Sequence, residues 1–155
     1  MKAPIIGVIA FGLSLSAAPL LAQEAEQGPP EVRYLTVTTF NIPAGEARQK
    51  VFQWINRVVV PQARVNPNVL SFRVATHNWG ANSAEVALIS EYPDWASIEG
   101  DCEACSEWFQ QNVPEKGTPE REEFDEISRA YFKHYNGHKD EIYAINMNMA
   151  KIGQP

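Results

Sequence analysis

The sequence predicts an α+β domain, a four-stranded antiparallel sheet with its helices on one face. Three observations lead there. Residues 69–95, VLSFRVATHNWGANSAEVALISEYPDW, form two extended runs about a turn and then feed a helix. A strand and a long helix precede this hairpin, and helix followed by strand comes after it. Elements in the order β-α-β-β-α-(α)-β build the split βαβ, ferredoxin-like unit, which leaves one sheet face bare.

Residues 1–22 have the pattern of a secretory signal. Lys2 is the positive end, Ile5 to Leu15 the apolar core, and Ala18-Pro19-Leu20-Leu21-Ala22 the cleavage region. The apolar run is short for a membrane span, so the chain is expected to be exported, periplasmic or secreted, with no membrane association after cleavage. Residues 23–31, QEAEQGPPE, are polar, acidic and Pro/Gly-bearing, and are expected to be a disordered linker. Residues 32–155 are then a single domain.

Loss of Lys2 leaves 12 of the 13 Lys+Arg against 19 Asp+Glu, taking the formal net charge from −6 to −7. An acidic chain without a basic patch is a poor partner for nucleic acid, and it offers anionic lipid no polybasic segment. A small neutral or cationic ligand, or another protein, is the more natural partner.

The first strand is predicted over Val32 to Ile42, rich in Thr, Val, Tyr and Phe, and Pro43-Ala44-Gly45 breaks it. Ala47, Val51, Ile55, Val58 and Val59 recur at helical spacing through Glu46 to about Arg64; Pro61 must interrupt that helix and Asn66-Pro67-Asn68 must end it. In the hairpin Leu70, Phe72 and Val74 alternate with Ser71, Arg73, Ala75 and His77, while Ala84 to Tyr92 is too apolar to alternate, as a central strand would be. A shorter helix is predicted from Asp94 to Phe109, weakened at Gly100. Thr118-Pro119-Glu120 opens a third helix with a cap, a first-turn proline and early acidic residues. Phe124, Ile127, Tyr131 and Tyr135 are its apolar stripe, and Asn136-Gly137 is expected to stop it in left-handed geometry. The last strand is predicted over Asp140 to Ile152.

If Leu70, Phe72 and Val74 pack on the helices, Arg73 and His77 point to the bare face. This pair is the candidate for chemistry, since a histidine beside a cation can hold an anionic group or move a proton. A bare or dimer-buried surface is the alternative. The same alternation turns Met147 and Met149 to the helices and Asn146 and Asn148 to the bare face, where a cleft would form. Tyr34, Thr36 and Thr38 are candidate floor residues, and Trp79 at the hairpin tip is a candidate contact. Cys102 and Cys105 form a CxxC. An acidic neighbourhood opposes a reactive thiolate, so a structural disulfide or two buried thiols is favoured over a redox pair, with Asp101 positioned to cap a restarting helix. His134 and His138 are four apart, but Asn136-Gly137 between them removes the helical reason for metal ligation. No cofactor or metal set is expected.

The phrases "FNIPAG", "VVVPQARVNPNVLSFRV" and "AEVALISEYPDWASIE" resemble the dimeric α+β barrel superfamily, which includes antibiotic-biosynthesis-type monooxygenases, EthD-like proteins and stress-responsive barrel proteins. The resemblance covers about Tyr34 to Glu99, and the rest by element order; no catalytic signature is matched. It implies a homodimer whose sheets face one another, and a small hydrophobic or aromatic ligand held in a sheet-helix cleft. It also implies two alternatives: a cofactor-independent monooxygenase acting on an aromatic substrate, with His77 moving the proton, and a non-catalytic structural dimer.

Overall fold

The computed structural model describes residues 31–78, 80 and 82–149. Residues 1–30, where the signal and most of the linker are expected, lie outside the described residues, as do Trp79, Ala81 and residues 150–155. The elements are β1 Val32–Asn41, α1 Glu46–Trp54, a π-helical turn Ile55–Val59, α2 Val60–Val65, β2 Ser71–Thr76, β3 Glu85–Tyr92, α3 Trp95–Glu99, α4 Glu103–Asn112, α5 Pro119–Tyr135 and β4 Lys139–Asn146, then a 3₁₀ turn Met147–Met149. The sheet order is β2-β3-β1-β4 with every neighbour antiparallel, the ferredoxin-like arrangement.

Directly opposed residues of an antiparallel pair share a face. Phe40 opposes Val86, and Thr38 and Val74 both oppose Leu88. Phe40, Val86 and Leu88 are buried in the one core, with Ile42, Val51, Trp54, Ile55, Val58, Phe124, Ile127 and Tyr131. Tyr34, Thr36, Thr38 and Phe40 therefore face the helices, and Leu35, Val37 and Thr39 face away. Phe72 and Val74 pack on the core as expected, whereas Leu70, one residue before β2, is exposed.

The interruption at Pro61 takes the form of the π turn. Proline has no N–H for the carbonyl four residues back and its ring crowds that carbonyl. Just before it the ladder widens, and the Val60 N–H reaches the Ile55 carbonyl five residues back. Helical structure then continues to Val65, and the Asn68 N–H donates to Asn66 Oδ1 at 2.9 Å as the chain leaves it. Gly45, at φ 110° and ψ −154°, starts α1 in a region that glycine alone adopts without strain.

Four expectations are corrected. The helix predicted from Asp94 to Phe109 is two helices. Asp94 caps the first through Ser97 N–H, and the chain opens at Gly100. Cys102, not Asp101, caps the second, its sulfur accepting from Cys105 N–H. Asn136-Gly137 does not make a left-handed stop: Asn136 is right-handed helical, and His138 N–H closes a turn onto the Tyr135 carbonyl at 2.9 Å. The last strand ends at Asn146, where a 3₁₀ turn replaces the expected Met/Asn alternation.

Thr118 caps α5, its hydroxyl accepting from Arg121 N–H at 3.2 Å. Thr118→Ala should lower the unfolding free energy by about 1 kcal/mol, measured as a denaturant midpoint shift at constant slope.

Candidate functional site

Two surfaces compete: the cleft between sheet and helices, and the open face of the sheet. The cleft has a volume of about 680 Å³. Its floor is Thr36 and Thr38 of β1 with Leu88 and Ser90 of β3, and its walls are largely aromatic. Trp54 stands at the junction, 5.0 Å from Phe124, 5.8 Å from Phe132 and stacked on Tyr131 at 6.1 Å between ring centroids. Tyr131 stacks on Tyr135 at 5.0 Å, and Tyr135 on His138 at 4.2 Å. Phe109 on α4 closes one side against Phe124.

Polar groups share the lining with the aromatic rings: the hydroxyls of Thr36, Thr38, Ser90 and Ser128, the Gln62 amide and one charged pair. Arg121 and Asp125 are the charged residues among the lining groups, and they neutralise one another across 2.8 Å, one helical turn apart. Burial, reinforced by Tyr135, pushes the Tyr131 phenol far above its ordinary value, so it stays protonated. Tyr131 borders the cleft, and no buried side-chain oxygen or nitrogen among the described residues is left without a partner. Burial and then the Asp140 carboxylate push the Tyr135 phenol up as well. A neutral, aromatic space with a few hydroxyls suits an uncharged aromatic or hydrophobic molecule. Among the described residues no group of three or more His, Cys, Asp or Glu side chains could hold a metal ion.

The sequence-derived candidates divide between the surfaces. Thr36 and Thr38 line the cleft, while Tyr34, on the same face, makes an edge contact with Trp95 at 5.7 Å. Arg73 opposes Ile89 on the face away from the helices and is exposed. His77 follows in the same alternation, its N–H donating to the Glu85 carbonyl, and it too is exposed. Neither lines the cleft. Asn146 opposes Val32 in register with the helix-facing residues, which corrects its expected direction. Its side chain accepts from Asn148 N–H at 3.0 Å and so stabilises the 3₁₀ turn; neither asparagine lines the cleft. Trp79 lies outside the described residues. Cys102 and Cys105 are joined in a disulfide with Cα atoms 5.2 Å apart, near α2, where Gln62 Nε2 donates to the Cys105 carbonyl at 3.3 Å.

Sequence reading missed Trp54, Phe109, Phe132, Arg121 and Ser128 as cleft residues. Trp54 and the α5 stripe carried the apolar signal of core positions, and periodicity cannot separate a core wall from a cleft wall.

On the open face Arg33 donates to Glu91 at 3.2 Å and Ser71 to Glu91 at 2.9 Å. Burial works to raise the Glu91 carboxyl, but the Ser71 and Arg33 hydrogen bonds override it and hold the group below its ordinary value. A depressed folded-state value means the contribution is complete above the ordinary carboxylate value. It is lost as pH falls through the lower folded one. Glu91→Gln should flatten the acid limb of the stability–pH curve in that window, read from thermal midpoints.

No protein-family model matches the sequence and no curated protein does. Solved structures resemble it in fold. A dimeric ferredoxin-like protein from an uncultured marine organism aligns at 11% identity over 79% of this chain and 100% of its own, with a TM-score of 0.49. An EthD family protein from Bacillus halodurans aligns at 14% over 72% and 96%, with a TM-score of 0.43. A NIPSNAP family protein from Agrobacterium tumefaciens aligns at 8% over 72% and 90%, with a TM-score of 0.44. The likeness is one of chain path, and the fold assignment stands on the strand order itself.

Proposed function

We propose that this chain is an exported binding protein that takes a small, uncharged, mainly aromatic molecule into the cleft between its sheet and helices. The carrying observation is the cleft of about 680 Å³, walled by Trp54, Phe109, Phe124, Tyr131 and Phe132, with its one ion pair internally neutralised. Export is supported by the signal-like residues 1–22 and by a disulfide, which persists in oxidising compartments.

The oxygenase alternative assigns proton transfer to His77. That residue lies on the sheet face opposite the cleft, so binding without turnover is the reading carried forward. The neutral fluorophore N-phenyl-1-naphthylamine should brighten on titration with the purified chain. Ser128→Phe, which fills the cleft from α5, should weaken that binding more than tenfold, while His77→Ala and Arg73→Ala leave it unchanged. Equal binding by Ser128→Phe would place the probe elsewhere and overturn the reading.

The open face belongs to a second copy in this reading. Leu35, Val37, Ile89 and Ile145 share it through the strand registers, and no helix among the described residues covers it. A closed two-fold pair would bury this apolar strip against itself. Sedimentation at micromolar concentration should give twice the chain mass; the mass of one chain would refute the pairing.

A further inference from the structure

Thr38, on the cleft floor, opposes Asp140 of β4. Its hydroxyl donates to Asp140 Oδ1 at 2.5 Å. The other carboxylate oxygen lies 3.0 Å from His138 Nε2, and His138 Nδ1 lies 2.7 Å from the Tyr135 carbonyl. A carbonyl oxygen can only accept, so Nδ1 carries its hydrogen and the ring is held, stacked face to face on Tyr135. Where His138 carries a hydrogen on Nε2 as well, it donates to the second oxygen and Asp140 is engaged on both. An ionised carboxylate donates nothing, so the Thr38 proton is committed to it. What remains of that hydroxyl is lone pairs alone. Ser90, Ser128 and Tyr131, also around the cleft, have no such commitment among the described residues and can turn to donate or to accept.

We infer that Thr38 makes the cleft selective for ligands that present a hydrogen-bond donor, an aromatic O–H or N–H. Asp140, steadied by His138, is the positioning residue that sets the direction of the hydroxyl. The inference rests on the cleft being the binding site. It assigns a role to His138 and Asp140, which stand outside the cleft lining and reach it through Thr38.

The test compares 2-naphthol with 2-methoxynaphthalene, which lacks the donor, by calorimetric titration of the purified chain. Wild type should favour the naphthol by about tenfold, the scale of one net hydrogen bond. Thr38→Val keeps the shape and removes the hydroxyl, so the preference should fall towards one; Thr38→Ser should retain it. Asp140→Ala releases the hydroxyl to donate and should raise affinity for the ether several-fold. Comparing ratios between variants cancels the bulk of the ether methyl, and thermal melts report folding. Because Asp140 is exposed, its variant still decides the matter if Thr38→Val fails to fold. Both compounds binding with the same ratio in wild type, Thr38→Val and Asp140→Ala would overturn this inference and leave the cleft reading standing. Neither compound binding wild type would overturn both.

Discussion

One aromatic stack holds the helical layer to the sheet. Phe40 of β1 meets Tyr131 and Tyr135 of α5 edge-on at 5.9 and 5.6 Å, and Tyr131 stacks in turn on Trp54 of α1. Large rings bury much area, and their offset and edge geometries define the spacing between layers more sharply than aliphatic contacts do. Where rings this size meet a floor of threonine and serine, the smaller floor residues leave space. The cleft is a consequence of how the core is packed, and the same side chains serve as both.

That dual role accounts for the chemistry of the cleft. The core positions must be apolar, so few charges can enter, and the pair that does, Arg121 and Asp125, sits one helical turn apart on α5 where each answers the other. Beyond that pair, polar character comes from hydroxyls on β1, β3 and α5 and from the Gln62 amide on α2. The Thr38–Asp140–His138 array lies where β4 joins the sheet edge, and the turn after α5 brings His138 back beneath Tyr135.

The opposite face obeys a different constraint. Its strands present Leu35, Val37, Ile89 and Ile145 together with Arg33, Arg73, Ser71 and Glu91. Such a mixture, apolar in the centre and paired in charge at one end, suits association more than an interior. Arg73 and His77 belong to this surface, which separates them from the cleft by the thickness of the sheet.

Much of the fold was legible in the sequence because its signals are local. Alternation marked β2, helical spacing marked α1 and α5, the Thr118-Pro119 cap marked the start of α5, and Pro61 marked the irregular turn. Alternation also turned Arg73 away from the helices. The cleft was not legible, because its walls come from α1, α4 and α5 and its floor from β1 and β3. Periodicity says that Trp54 and Phe124 face inward, but not whether they meet a neighbour or a space. The β4 register was equally closed to sequence reading: strands of period two allow either face, and only pairing with β1 put Asp140 beside Thr38 and turned Asn146 toward the helices. His138 shows the limit most plainly. In the sequence it is a histidine past the end of a helix, and only the turn that stacks it on Tyr135 makes it a support for Asp140.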